Sequence, residues 1–249
     1  MNRFTGKNVL VTGGTSGIGL AVAQAYAAEG ARVVVTGRDE KALADATATL
    51  GAGTLALKND ASALADARSL AAAIGEQGIK LDAIFINAGV AKFAPFDQVD
   101  ENLWDLTFDT NVKGAYFQLQ ALLPYLNQGA SIVLNGSINA HIGMPNSSVY
   151  AASKAALITL ARTLSAELLP RGVRVNVVSP GPVQTPLYGK LGMDAAQLEA
   201  TAAQIQAQVP LGRFGRPDEV AATVLHLSSP ESGFIVGTEI VIDGGMSQL

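Results

Sequence analysis

Short apolar runs alternate with helical patterns along most of this chain. Seven runs rich in β-branched residues and bounded by Gly, Asn or Pro predict strands at 8–12, 32–36, 55–58, 83–86, 131–135, 173–178 and 239–242. Apolar residues at helical spacing predict helices at 18–28, 40–50, 63–74, 103–126, 150–169, 194–208 and 218–227. This alternation is typical of βαβ units, in which helices cover both faces of a parallel sheet. The pattern therefore predicts an α/β fold, with one doubly wound, parallel, seven-stranded sheet flanked by helices and a single domain over 1–249.

The segment 182–210 departs from this rhythm. It mixes Gly, Pro, Thr and Tyr before an Ala- and Gln-rich helical pattern. Long loops in compact domains often act as lids over a binding site, so we expect a substrate lid at about 182–210. The alternative is an insertion with no role in the site.

Composition excludes several classes of function. Hydrophobic residues make up 49% and charged residues 15% of the chain, as in a compact globular enzyme. The net charge is -4 and no run of Lys or Arg occurs, so we expect no nucleic acid and no membrane as partners. With no Cys and two separated His, disulfides and a zinc site of the usual ligand spacing are excluded, and we expect no metal. The N-terminus has no apolar signal core or spanning segment, which predicts a cytoplasmic protein.

A glycine-rich turn follows the first predicted strand and opens the first helix. Glycines let the backbone approach a diphosphate, whose charge is stabilised at the free N–H groups of a helix N-terminus. A tight strand-to-helix connection would also favour glycine, but the position after the first strand favours a dinucleotide site. The candidate cofactor contacts in this turn are Gly13, Thr15, Ser16, Gly17, Ile18 and Gly19.

The end of the second predicted strand bears on which dinucleotide binds. Gly37 offers no carboxylate for a ribose hydroxyl, and Arg38 follows it. The planar guanidinium of Arg38 suits stacking on adenine and binding a 2′-phosphate, so the sequence predicts NADP(H), with NAD(H) less favoured. The alternative is that Arg38 is solvated and that Asp39 only caps the next helix.

Four polar residues form the candidate catalytic set. Tyr150 and Lys154 are four residues apart on one helical pattern, so they share a face. We expect the ammonium, together with a nicotinamide cation, to lower the phenol's pKa from about 10. Ser137 follows a strand, where its hydroxyl can hold a substrate oxygen. Asn111 lies within a long helical pattern, and its amide is suited to organise a proton-carrying water. Each feature alone often occurs without a catalytic role. Their joint occurrence, in this order after the glycine-rich turn, indicates a hydride-transfer site.

Together these motifs closely resemble the short-chain dehydrogenase/reductase family over essentially the whole chain. Three motifs match those of the family: the turn from Thr12 to Gly19, the Asn-Ala-Gly element at 87–89, and the Asn-Ser-Tyr-Lys tetrad at Asn111, Ser137, Tyr150 and Lys154. The resemblance implies a Rossmann-type fold and a homotetramer, with the predicted helices 103–126 and 150–169 at one interface, although their apolar surface could instead be core. It also implies further cofactor contacts at Asp60, Ala61, Asn87, Ala88, Gly89, Tyr150, Lys154, Pro180, Gly181, Val183 and Thr185.

The resemblance implies that a dihydronicotinamide delivers hydride to a carbonyl carbon while Tyr150 protonates the oxygen. The candidate substrate contacts are Ser137, Asn139, Met144, Tyr150 and Tyr188, and this largely apolar set predicts a hydrophobic ketone or secondary alcohol. His141 nearby is interpreted as a wall or surface residue.

Two alternatives to this assignment stay open. The first is a 3-oxoacyl-[acyl-carrier-protein] reductase. Arg171 resembles a residue found at this position in such reductases, but segment 127–130 lacks the basic residues that they usually have there. The second is a redox-sensing module without turnover, a class that commonly loses the Tyr or the Lys, both of which are present here.

Overall fold

Parallel strands form one continuous sheet through the chain. The computed structural model describes residues 2–185 and 194–249. Within these residues the sheet has seven strands in the order β3-β2-β1-β4-β5-β6-β7, and every neighbouring pair is parallel. The strands are β1 (Asn8–Val11), β2 (Arg32–Gly37), β3 (Leu55–Lys58), β4 (Leu81–Ile86), β5 (Leu126–Asn135), β6 (Arg174–Pro180) and β7 (Glu239–Ile242). The predicted α/β class and the predicted seven-stranded parallel sheet are confirmed.

Helices cover both faces of this sheet. They are α1 (Gly17–Ala28), α2 (Glu40–Leu50), α3 (Leu64–Glu76), α4 (Glu101–Phe108), α5 (Ala115–Leu122), α6 (Ser148–Leu168), α7 (Ala195–Ala207) and α8 (Pro217–Ser228). Successive strand residues face opposite sides. Leu10 therefore packs in a cluster with residues of α3, α5 and α6, whereas Val9 and Val11 pack in a second cluster with residues of α1, α2 and α8. No helix in the described ranges is both long and apolar enough to cross a membrane.

The single helix predicted over 103–126 is wrong. A π-helix at Asp109–Gly114 separates α4 from α5. Its wider turn brings Asn111 to the backbone of Val90, and Gly114 lies directly against the carbonyl of Ala61, where a side chain would clash. The helix also ends at Leu122, because Pro124 cannot continue it, and β5 begins at Leu126.

The strand order reverses between β1 and β4. In open α/β sheets, ligands bind beyond the carboxyl ends of the strands at such a reversal. The glycine-rich turn follows β1, and the Asn87-Ala88-Gly89 element follows β4. The fold therefore brings these two sequence motifs to the same edge of the sheet.

Candidate active site

A cleft opens at the carboxyl ends of β4, β5 and β6. It is lined by Ile18, Asn87, Gly89, Val90, Ala91, Asn135, Gly136, Ser137, Tyr150, Lys154, Pro180, Gly181, Val183 and Thr185. Ten of these residues are among the predicted site residues, so the fold brings most of the central set together. Arg38, Asp60 and Ala61 follow β2 and β3, farther along the same edge.

The glycine-rich turn is held tightly against the end of β4. Gly13 and Gly17 have positive φ angles of 62° and 53°, which favour glycine. A side chain at Gly19 would meet the carbonyl of Gly13 and would lie 2.5 Å from the amide nitrogen of Asn87. Ser16 caps α1 without a side-chain hydrogen bond, and the first turn of α1 has no acidic residue. The turn therefore presents helix N–H groups that suit an anionic diphosphate.

Asn87 fastens this turn to the sheet. Its side-chain nitrogen donates to the carbonyls of Thr12 and Gly13, at 3.1 Å each. The backbone N–H groups of Asn87 and Ala88 donate to the hydroxyl of Thr12, at 2.9 and 3.0 Å. The side-chain nitrogen of Asn135 in turn donates to Oδ1 of Asn87, at 2.9 Å.

Asn135 extends this network to Lys154, and the sequence analysis missed it. Nζ of Lys154 donates to the backbone carbonyl of Asn135 at 2.6 Å. Oδ1 of Asn135 is buried and has no hydrogen-bond partner among the described residues. The available signal was a polar residue at the end of a central strand, two positions before Ser137. Its main contact uses a backbone carbonyl, which no side-chain pattern reveals.

Tyr150 and Lys154 share a face of α6, as predicted from their spacing. Nζ of Lys154 lies 5.7 Å from the centroid of the Tyr150 ring, and Ser137 lines the same cleft. Burial raises the pKa of Tyr150, and the nearby hydroxyl of Ser137 opposes this only in part. Burial also lowers the pKa of Lys154 to about 8. The expected lowering of the phenol's pKa by Lys154 is therefore wrong for the protein alone, because desolvation of the ring is the larger effect.

Asn111 is buried, and its amide is hydrogen-bonded to protein groups at both ends. Oδ1 accepts from the N–H of Val90 at 2.8 Å, while Nδ2 donates to the carbonyl of Val90 at 2.9 Å and to the hydroxyl of Ser153 at 3.0 Å. Ser153 donates to the carbonyl of Tyr150 at 2.7 Å. The side chain thus ties the loop after β4 to the first turns of α6. Oδ1 keeps one further lone pair, and the expected role in organising a water stays a prediction.

The end of β2 is closed to a longer side chain at Gly37. A Cβ there would lie 2.8 Å from the methyl carbon of Thr15. Arg38 is exposed, and no hydrogen bond or ion pair joins it to another described residue. Asp39 accepts from the N–H of Ala42 at 2.7 Å, so it does cap α2, as the alternative interpretation required.

Asp60 lies at the end of β3, close to Arg38. Its carboxylate accepts from the N–H and the hydroxyl of Ser62, at 3.0 and 2.8 Å. Burial opposes ionisation, but these hydrogen bonds and the charge of Arg38 together hold the pKa of Asp60 below its usual range. An ionised Asp60 and a cationic Arg38 therefore flank this end of the sheet edge.

Of the predicted substrate residues, three lie on the loop after β5, namely Ser137, Asn139 and Met144. The N–H of Asn139 donates to the hydroxyl of Ser137 at 3.2 Å, and its amide lies 3.4 Å from the sulfur of Met144. Nε2 of His141 lies 2.6 Å from Oε1 of Glu239, which agrees with the interpretation of His141 as a surface residue. The predicted contact Tyr188, at the centre of the proposed lid, lies outside the described residues.

Phe93 is a further residue that the sequence analysis missed. Its ring packs edge-on against Tyr150, with centroids 5.6 Å apart and an interplanar angle of 66°. The signal was an aromatic residue four positions after Gly89. The periodicity of apolar residues predicts helices and strands, and it gives no information on the role of a residue in a loop.

Comparisons with known proteins identify the family of this chain. A family model described as Enoyl-(Acyl carrier protein) reductase matches residues 13–247. A solved structure of a short-chain dehydrogenase/reductase family protein is 40% identical, with a TM-score of 0.87, and the match covers 99% of this chain and 100% of that one. This chain belongs to the short-chain dehydrogenase/reductase family. The resemblance inferred from the motifs, and the Rossmann-type fold it implied, are confirmed.

Other members of the short-chain dehydrogenase/reductase family are similar over nearly their full length. The 3-oxoacyl-[acyl-carrier-protein] reductase of Thermotoga maritima is 35% identical over 98% of this chain and 99% of its own length. A solved complex of the Pseudomonas aeruginosa protein RhlG with NADP is 34% identical, with a TM-score of 0.90, covering 99% of this chain and 98% of that one. The chain is thus a member of an oxidoreductase family whose relatives differ in substrate.

Proposed function

We propose that this protein is an NADP(H)-dependent oxidoreductase that interconverts a ketone or aldehyde and an alcohol, chiefly a secondary one, with Tyr150 as the acid/base. The observation that carries the proposal is that Ser137, Tyr150 and Lys154 line the same cleft. The fold thus brings two hydroxyl groups and an amine to one cavity. Two such groups can polarise one carbonyl oxygen.

The residues present fit a dinucleotide. The side-chain-free cradle at Gly19 and the uncapped start of α1 suit a diphosphate, and the buried, unpartnered Oδ1 of Asn135 offers an acceptor in the cleft. Pro180, Gly181, Val183 and Thr185 border the same cleft and complete the proposed nicotinamide end. When bound, a nicotinamide cofactor supplies or accepts the hydride.

The chain's own residues supply orientation and a proton. Ser137 holds the carbonyl oxygen, and Tyr150 donates a proton to it. The ammonium of Lys154 stabilises the phenolate that remains, since opposite charges attract strongly in a buried site. Asn111 acts as a positioning residue, because it fixes the first turns of α6 against the loop after β4.

Replacing Tyr150 tests the proposed proton donor. In Tyr150→Phe we expect carbonyl reduction to fall by a factor of about 100 or more, the usual contribution of general acid catalysis. NADPH binding, followed by the fluorescence of the bound cofactor, should persist. Tyr116→Phe is the control, because Tyr116 lies on α5 and is exposed. Near-normal turnover in Tyr150→Phe would refute the assignment.

The preference for NADP(H) rests on the end of β2. The space at Gly37 is taken up by Thr15, so there is no room for a carboxylate that would bind a ribose hydroxyl, while Arg38 is exposed and cationic. Hydrogen bonds to charged groups contribute about 1.5–3 kcal/mol, so Arg38→Ala should reduce the ratio of kcat/KM for NADPH over NADH by roughly 10- to 100-fold. Lys41→Ala serves as the control, because Lys41 pairs with Asp45 on the same helix. An unchanged ratio in Arg38→Ala would count against the preference.

A 3-oxoacyl-[acyl-carrier-protein] reductase is the second candidate, favoured by the similarity to the Thermotoga maritima protein. Arg171 is exposed, as carrier docking would require, although its guanidinium already donates to the carbonyl of Leu123 at 3.0 Å. Steady-state assays with a 3-oxoacyl thioester beside simple ketones separate the two candidates. A kcat/KM for the thioester well above that of every ketone would favour the second.

We also propose a homotetramer, as expected from the family. Trp104 on α4 and Tyr116 and Phe117 on α5 are each at least one-third exposed, so this aromatic surface is not core in the single chain. Static light scattering of the purified protein tests the assembly. A monomeric mass would contradict it.

A further inference from the structure

Phe93 forms an aromatic wall beside the proposed acid/base. Its ring packs edge-on against the ring of Tyr150, and 38% of the residue is still exposed. Phe93 therefore contacts the group that we propose acts on the carbonyl while part of its own surface stays open.

A backbone contact fixes the position of this wall. The N–H of Ala94, the next residue, donates to the carbonyl of Asn146 at 2.9 Å. Asn146 has a φ of 65° and is the only residue other than glycine with a positive φ in the described ranges. Asn adopts this left-handed conformation more readily than other residues with a side chain, and it is common in turns. The loop after β4 is thereby joined to the loop between β5 and α6.

The second loop carries another partly exposed apolar side chain. Met144 is 42% exposed, and its backbone carbonyl is held by the hydroxyl of Ser147 at 2.7 Å. The amide of Asn139 lies 3.4 Å from its sulfur. Ser137 and Tyr150 thus line the cleft, and the two loops joined beside it carry the partly exposed side chains of Phe93 and Met144.

We propose that Phe93 is a specificity-determining residue, and that it makes the site favour carbonyl compounds with an aromatic ring on the carbonyl carbon. The proposal rests on the proposed function. Aromatic rings attract one another beyond the effect of buried area when they meet edge to face. A saturated ring of the same size buries similar area but lacks this attraction.

The test compares two ketones of matched size, phenyl methyl ketone and cyclohexyl methyl ketone, with NADPH as the reductant. We expect the parent protein to have the higher kcat/KM for the phenyl compound. In Phe93→Leu the ratio of the two kcat/KM values should fall by roughly 3- to 10-fold, mainly through KM for the phenyl compound, as expected for one lost aromatic pair. Phe93→Tyr keeps the ring and should keep the ratio.

Phe96→Leu is the matched control. Phe96 lies three positions along the same loop and is 88% exposed, and no ring contact joins it to Tyr150. Its replacement should leave the ratio unchanged.

The outcomes separate this proposal from the proposed function. An unchanged ratio in Phe93→Leu, an equal fall in kcat for both ketones, or a parent preference for the cyclohexyl compound would each overturn the role of Phe93 while leaving carbonyl reduction intact. If the parent reduced no ketone or aldehyde at all, the proposed function would fail first, and the proposal would fall with it.

Discussion

Lys154 provides a test of the cost of keeping a charge at this site. The side chain is only 5% exposed, and burial lowers its pKa from 10.5 to about 8. At about 1.4 kcal/mol for each pH unit, that drop corresponds to about 3 kcal/mol by which the buried charge destabilises the folded protein near pH 7. Lys154→Met removes the charge and keeps a side chain of similar length.

The magnitude expected for Lys154→Met depends on pH. The substitution also removes the hydrogen bond from the charged amine to the carbonyl of Asn135, a loss of about 1.5–3 kcal/mol. Near pH 7 the relief of charge burial slightly exceeds this loss, so the variant should be more stable by about 1 kcal/mol, which raises Tm by roughly 2–4 °C. It should at the same time lose most of its reductase activity, a conflict between stability and function that active sites often show.

The sign of the pH dependence follows from proton linkage. Between pH 8 and 10.5 the unfolded chain binds more protons at Lys154 than the folded protein does, so the stability of the parent rises with pH through this window. Above it the amine is neutral in both states and still donates to Asn135. The stability difference between Lys154→Met and the parent should therefore shrink as the pH rises, and should reverse before pH 10.5.

The assay is thermal and urea unfolding of the cofactor-free proteins from pH 6.5 to 10 at fixed ionic strength and protein concentration. Lys80→Met is the matched control, because Lys80 is exposed and donates to the carbonyl of Pro124 at 2.8 Å. The control should lose a little stability at every pH. A difference for Lys154→Met that stays constant across the range, or that matches the control, would refute the reasoning.

Two further predictions concern the cofactor turn and the core. Gly19→Ala should weaken NADPH binding by at least 10-fold, because the added carbon would clash with the carbonyl of Gly13 and the amide of Asn87. Titration of cofactor fluorescence measures the affinity. Gly143→Ala is the control and should bind NADPH normally, because the space around Gly143 is open. Arg174→Met should lower the free energy of unfolding by about 3 kcal/mol, since the guanidinium donates to four backbone carbonyls; urea unfolding checks this, and a loss below about 1 kcal/mol would contradict it.

Much of the fold was predictable, because the strands of a sheet covered on both faces are nearly continuous apolar runs. The predicted limits of β3, β7 and α2 agree with the structure. β5 begins five residues earlier than its apolar run, since Leu126 pairs with Leu81 across a register shift. Hydrophobic pattern alone does not mark such an irregular, partly polar strand start.

The candidate site was predictable to the extent that its chemistry is carried by side chains at fixed spacing. The glycine-rich turn and the pair Tyr150 and Lys154 are of this kind. The π-helix was not predictable, because the apolar positions around Asn111 fit an ordinary helix equally well. Asn135 and Phe93 were missed for a related reason, since one acts through a backbone carbonyl and the other through a contact between distant loops.

The pKa directions are the part of the site that spacing alone predicted wrongly, and they bear on the direction of the proposed reaction. Spacing brings an ammonium near a phenol and suggests a phenolate. Burial of both groups instead raises the pKa of Tyr150 and lowers that of Lys154. Near neutral pH the phenol thus keeps its proton while Lys154 is still mostly charged. In the proposed reaction this is the state that protonates a carbonyl oxygen, whereas alcohol oxidation would use the ionised phenol, which forms at higher pH.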